Sequence, residues 1–273
     1  MTFETLALER EGAVLRLTLN RPERRNAITF QMMRDLTSAF QAIARDRSLR
    51  VLVLRGAGGH FCAGGDLGHM LAPPDETGPD PVAGAYRRMG EALRALEALP
   101  QAVVAVVEGA CVGGGLGMAC ASDLVIARDT AKFGMPESRA GFIPSQILPT
   151  VVKRIGQGQA FRLAVSARVI DGVEAQRIGV VHDLARTDDA LEALLRAALQ
   201  DLAWAEPAAV GEIKRLIRLI ATAPQEIALD DAAATISRLL ASPEAAEGIR
   251  AFQEKRPPLW AEPQSEIDAK GRP

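Results

Sequence analysis

Apolar positions recur along this chain with two different periods, and the changes from one to the other outline its elements. Ala13 to Leu19 (AVLRLTL) alternates apolar and polar residues, the pattern of a half-buried strand. Phe30 to Ala44 repeats its apolar residues at helical spacing through Met33, Leu36, Phe40 and Ile43. Val51 to Leu54 (VLVL) and Ala102 to Val107 (AVVAVV) are short unbroken apolar runs rich in valine, which predicts strands covered on both faces. A helix is expected from about Val82 to Leu99. After Val107 come a glycine turn, a short helix and a strand at Leu124 to Ala127. Strand followed by helix, repeated, argues for stacked parallel strands in an α/β chain.

From Asp188 the pattern becomes alanine- and leucine-rich helix, with Leu191, Leu194, Leu195, Ala198 and Leu202 on one face. Pro207, Pro224 and Pro243 mark further helix starts. The expected organisation is a core over residues 1–203 and a helical C-terminal region over 204–273. Leu71 to Pro81 (LAPPDETGPDP), rich in proline and acidic residues, reads as a mobile surface loop.

Composition narrows the classes. A chain of 273 residues can bury a sizeable core, and its net charge of −2 leaves no electrostatic footprint for nucleic acid. Cys62, Cys111 and Cys120 have no metal-type pairing and read as reduced thiols. His60, His69 and His182 show no ligand spacing, so no metal site is expected. The start, MTFETLALEREG, lacks an apolar signal core, and no apolar run is long enough to span a bilayer. A cytoplasmic protein without membrane partners is expected.

The candidate chemistry lies in two glycine loops. The Val51 strand runs into RGAGGHFCAGGDL, and the Ala102 strand runs into EGACVGGGLGMACASD. Gly113, Gly114 and Gly115 leave bare backbone where a helix starts, so amide N–H groups can face an anionic atom with the helix dipole behind them. Two strands of like character, each ending in such a loop, can place one amide each around the same oxygen. The plainer alternative is a pair of tight turns that need glycine only for packing. Neither loop sets G-x-G-x-x-G in register with its strand, which puts a dinucleotide site aside.

Four segments in order, NRPERRNAIT from Asn20, FCAGGDL from Phe61, GGGLGMACASDLVIA from Gly113 and KFGMPESRAGFIP from Lys132, resemble the successive signatures of the crotonase (enoyl-CoA hydratase/isomerase) family. The resemblance runs from about Asn20 to Arg256. It implies a spiral of ββα turns, which periodicity alone does not separate from a doubly wound sheet, and a C-terminal helical region used to form a homotrimer or a hexamer of two trimers. It implies an acyl-CoA substrate and no further cofactor, coenzyme A being part of the substrate. By the motif match the oxyanion donors are the amides of Gly65 and Gly114, and Glu137, in the PE pair, is the catalytic acid/base. The match also places Arg24, Arg25, Ala27, Ala63, Asp66 and Leu67 at the coenzyme A end, with the loop from Leu71 beside the entrance. Lys255, Arg256 and Trp260 resemble a terminal segment that reaches a neighbouring subunit's coenzyme A site. The residues alone leave plainer options open: a charged turn after Pro22, an Asx-type turn at Asp66 and a solvated tail at Lys255.

Two departures from the family pattern carry the substrate expectation. Where common hydratases have a second glutamate, in the frame GGGxE, this chain has Gly117. That excludes two-glutamate catalysis and resembles the single-glutamate methylglutaconyl-CoA and isohexenylglutaconyl-CoA hydratases of leucine and acyclic terpene catabolism, and also the hydroxycinnamoyl-CoA hydratase-lyases. Where common hydratases read IPGxGG, this chain reads GFIPSQILPTVVKRIG, which is similar to the branched glutaconyl-CoA enzymes. Gly117 is then expected to make room for a 3-substituent, the Ser145 amide to stand where the attacking water is held, and Arg139 to be either a partner for a substrate carboxylate or a surface residue. An isomerase and a non-catalytic acyl-CoA-binding paralogue are the alternatives to a hydratase.

Overall fold

The structure is a computed structural model and describes residues 2–70 and 79–261. A hairpin opens the chain: β1 (Leu6–Glu11) and β2 (Val14–Leu19) pair antiparallel. α1 (Phe30–Arg45) follows, its first turn capped by Thr29 Oγ1, which accepts the Met32 amide at 3.1 Å. Met33, Leu36, Phe40 and Ile43 all face the core, as their spacing predicts. β3 (Val51–Gly56) lies parallel to β2. The chain then forms a four-residue α2 (Leu67–Met70) and α3 (Pro81–Ala98), whose cap Asp80 accepts the Ala83 amide at 2.9 Å. Residues 71–78 of the expected surface loop lie outside the described residues.

The centre of the chain repeats one unit. β4 (Ala102–Val107), β5 (Ala110–Val112) and α4 (Gly114–Ala121) are followed by β6 (Leu124–Arg128), β7 (Lys132–Gly134) and α5 (Leu148–Ser166). β8 (Val169–Asp171), α6 (Gly172–Arg177) and β9 (Asp183–Ala185) complete it. The first strands of successive turns build one sheet in the order β1-β2-β3-β4-β6-β9, and the second strands build another in the order β5-β7-β8. β4 and β6 run parallel, as do β5 and β7. The loop after β3 joins the second stack through a parallel bridge from Cys62 to Cys111. Cys62, Cys111, Phe133 and Ile170 thus lie in register on consecutive turns, and all four are buried. This is the expected spiral of ββα turns. α4 is apolar on every side, so it can only sit inside, and Gly115 to Ala121 are all buried.

α7 (Asp188–Trp204), α8 (Pro207–Ile220), α9 (Gln225–Leu240) and α10 (Pro243–Glu254) form the helical C-terminal stretch. Pro207 and Pro243 open α8 and α10, and Pro224 caps α9. The chain divides into two compact units, one of residues up to Leu99 with Val103–Leu195, the other of Pro100–Ala102 with the chain from Arg196 on. The division falls within α7. Among the described residues no helix is long and apolar enough to cross a membrane.

Candidate active site

The two glycine loops meet. Gly64 and Gly113 both hold left-handed backbone, with φ of 92° and 54°, and a Cβ at Gly113 would stand 3.4 Å from the Gly64 Cα. Glycine is required there because the positive φ and the close approach both exclude a side chain. The buried Cys62 sulfur sits behind them and accepts the Gly64 amide at 3.4 Å; burial pushes its thiol up to about 12, so it packs and does not react. The next residues on each loop, Gly65 and Gly114, face a cavity of about 250 Å³. Gly114 is the first residue of α4, where helical geometry offers its N–H no partner. Neither the Gly65 amide nor the Gly114 amide donates to an acceptor among the described residues.

Glu137 enters the same cavity from a 3₁₀ turn, Pro136–Ala140, which follows β7 and closes on Gly141 at φ 80°. Its Oε1 lies against Gly113, where a Cβ would stand 2.8 Å away. Its Oε2 is buried and finds no hydrogen-bond partner among the described residues. Burial raises the Glu137 carboxyl above the usual carboxylate range, against the pull of its own backbone amide. Around it the lining is mostly apolar: Ile28, Met33, Met89, Phe142, Ile143 and Ile147 among others. Tyr86 also lines it, edge-on to Phe30 with ring centroids 6.3 Å apart. A carboxylate with one free oxygen, set among apolar walls beside two unengaged amides, can move a proton while the amides hold a developing oxyanion.

The remaining expected positions divide. Ala63, Leu67 and Ser145 line the cavity with Glu137, Gly65 and Gly114. Asp66 does not line it, and its carboxylate pairs with Arg21 at 3.0 Å and with His69 at 3.3 Å. Burial opposes the Asp66 charge, but the bonds from Arg21 and His69 outweigh it and hold the carboxyl below its ordinary value. Arg21 also donates to the Ala27 carbonyl, so Ala27 and Asp66 are tied through one guanidinium that sequence reasoning passed over. Asn26 is a second omission: fully buried, it donates to the carbonyls of Ala57 and His60 at 2.9 and 2.7 Å and pins the loop after β3. Arg24 and Arg25 are exposed on the turn after Pro22, and Arg139 is exposed on the turn that carries Glu137. Every described residue that lines the cavity belongs to the first compact unit, and Lys255 and Trp260 belong to the second. There Trp260 Nε1 donates to the Trp204 carbonyl at 3.0 Å, and Arg256 pairs with Glu247 at 2.6 Å.

Two expectations need correction. The Ser145 amide donates to the Ile143 carbonyl at 2.8 Å, so the tight turn consumes the N–H expected to hold water. Gly117 is buried and does not line the cavity, because Ile147 covers it: a Cβ there would stand 2.6 Å from Ile147 Cγ2.

The family model for enoyl-CoA hydratase/isomerase matches residues 9–263. The chain belongs to that family. A probable enoyl-CoA hydratase of Rhizobium meliloti is 34% identical over 260 residues, 94% of this chain and 97% of that protein. Among solved structures, an enoyl-CoA hydratase/isomerase from Marinobacter aquaeolei superposes with a TM-score of 0.91 at 44% identity, covering 95% of this chain and all of the other. Pseudomonas aeruginosa AtuE superposes with a TM-score of 0.91 at 45% identity over 94% of this chain and 100% of that one. The crotonase-type fold expected from the motifs is therefore the fold of this chain, and the expected class, an enoyl-CoA hydratase-type lyase, agrees with the names its relatives carry.

Proposed function

We propose that this protein hydrates an α,β-unsaturated acyl-CoA, with Glu137 as its single acid/base and the Gly65 and Gly114 amides as its oxyanion donors. The thioester carbonyl oxygen accepts both N–H groups. Glu137 takes a proton from water as the oxygen of that water bonds to C3, and the C2=C3 electron pair moves toward C1 so that negative charge builds on the thioester oxygen. Collapse of the enolate takes the proton from Glu137 to C2, which completes the addition of water and restores the carboxylate. Two preorganised donors stabilise the enolate by roughly 3 kcal/mol each in a water-poor site. The observation that carries this reading is the unpartnered Glu137 Oε2 in an apolar cavity that also receives two free amides. Coenzyme A enters as part of the substrate, and no separate cofactor has a role in these steps.

For the acyl group we infer a 3-branched glutaconyl thioester, such as the methyl- or isohexenyl-substituted one. The Ile143-Pro144-Ser145-Gln146-Ile147-Leu148 segment and the glycine at 117 support it by resemblance, and the apolar lining suits an aliphatic branch. Among the described residues no lysine, arginine or histidine lines the cavity, so the distal carboxylate of such a substrate is left to solvent or to Arg139. Self-association into a trimer or hexamer completes the proposal. It is supported by apolar side chains left exposed within single helices, Ile213, Ile217 and Ile220 on one stripe of α8 and Phe161 with Val165 on α5.

The test is turnover of the purified protein with crotonyl-CoA, 3-methylglutaconyl-CoA, isohexenylglutaconyl-CoA and a 3-enoyl-CoA, in water labelled with heavy oxygen. Label in the product with a branched glutaconyl thioester preferred is the expected result. Double-bond migration without label would make it an isomerase, and binding without turnover a non-catalytic paralogue.

A further inference from the structure

Gly113 is the N-cap of α4, held at φ 54° outside helical geometry, and one turn on the Gly117 amide bonds to its carbonyl at 3.0 Å. Gly113 lies against the Glu137 carboxylate, while Gly117 meets Ile147: a Cβ at 117 would stand 2.6 Å from Ile147 Cγ2, 3.0 Å from Ile147 Cβ and 3.3 Å from Leu93 Cδ1. Helical side chains lean back over the preceding turn. Any side chain at 117 would therefore enter volume that Ile147 fills. Ile147 is buried, stands at the N-cap of α5 and lines the cavity that Gly117 does not line. It also stands where the IPGxGG frame of common hydratases has a glycine, just as Gly117 stands where GGGxE has a glutamate. Bulk absent from one position is present at the other.

We propose that Ile147 is a specificity-determining residue: it takes the space a second side chain from α4 would need and supplies the apolar wall beside Glu137 against which the C3 substituent of the acyl group lies. The role of this wall rests on the hydratase reading above. Contact with the acyl branch is then set by residue 147 and not by the glycine behind it.

Ile147→Ala tests the wall. Removing the surface on which the branch lies should lower the ratio of kcat/KM for isohexenylglutaconyl-CoA to that for crotonyl-CoA at least about tenfold, which needs about 1.4 kcal/mol of differential transition-state binding. Ile147→Val, one methyl smaller, gives the same direction if the alanine variant fails to fold. A thermal-melting cycle of wild type, Gly117→Glu, Ile147→Gly and the double variant tests the steric pairing without turnover. Gly117→Glu alone should melt far below wild type, and the double variant should lose much less than the sum of the two single losses. A fall in the kinetic ratio of less than about tenfold, or melting losses that simply add, would overturn the proposal. Should the wild type hydrate neither thioester, the hydratase reading fails on its own account, and the melting cycle still decides whether 117 and 147 compete for one space.

Discussion

Glu137→Gln keeps the volume of the side chain and removes its ability to accept a proton, so it separates two effects of opposite sign. The loss of a positioned acid/base should cost at least about a hundredfold in kcat, about 2.7 kcal/mol of activation free energy. Thioester affinity should stay close to wild type, since the backbone donors at Gly65 and Gly114 and the apolar walls are untouched. Stability should move the other way. Burial makes the folded chain hold the Glu137 proton more tightly than the unfolded chain does, so wild-type stability falls as pH rises through the window between the unfolded and folded pKa values. Glutamine does not titrate. The variant should therefore match wild type below about pH 4, where the glutamate of the unfolded chain is protonated, and exceed it at neutral pH. The cost of an unpartnered buried polar atom, about 1–3 kcal/mol, sets the ceiling of that gain, and the glutamine amide retains part of the cost. Initial rates on the best substrate and urea unfolding at acid and neutral pH measure both arms. More than a third of the wild-type rate would refute the catalytic assignment of Glu137, and a variant less stable than wild type at neutral pH would refute the raised proton affinity of its carboxyl.

Gly114→Pro deletes an oxyanion donor, but any side chain at 114 meets Ile28, with a Cβ 2.5 Å from its Cδ1. Gly114→Ala makes the same contact and keeps the N–H, so the proline variant should be slower than the alanine variant by about a hundredfold in stopped or steady-state assays; equal rates would clear the amide of a role. Asp66→Asn should destabilise the protein by up to about 1 kcal/mol at neutral pH through the pair with Arg21. Because the Asp66 carboxyl is held below its ordinary value, that difference is present above the unfolded pKa and disappears as pH falls through the folded one, which unfolding curves across acid pH will show. Removal of residues from Ser242 onward takes away α10 with its exposed Ile249 and Phe252, and sedimentation should then report weaker self-association together with weaker acyl-CoA binding; an unchanged oligomer that binds coenzyme A normally would contradict the proposed role of this region.

Much of the fold was legible because each strong element carries its own period. α1 buries the residues its spacing selects, β4 spans Ala102–Val107 as its unbroken valine run requires, and the prolines at 207, 224 and 243 sit at helix starts. The three-residue strands β5, β8 and β9 escaped notice because three positions cannot display an alternation. β1 was missed for another reason: at the sheet edge only Leu6 is buried, so LALERE reads as polar.

The two glycine loops and Glu137 were also readable from the chain alone, since short-range backbone needs and a distinctive motif mark them. What only the tertiary structure decided is which atoms are left over after packing. Among the described residues the Ser145 amide is spent on Ile143, the Gly65 and Gly114 amides are not spent, and Glu137 Oε2 remains without a partner. The wall of the cavity comes from Ile28, Met33, Tyr86, Met89 and Ile147, on segments far apart in sequence, and no local pattern names them. Gly117 shows the difference most plainly. Its sequence position announces a missing side chain, but whether that absence leaves a hole depends on what another segment puts there. Ile147 fills it, because close-packed interiors leave no vacancy that a neighbouring side chain can reach.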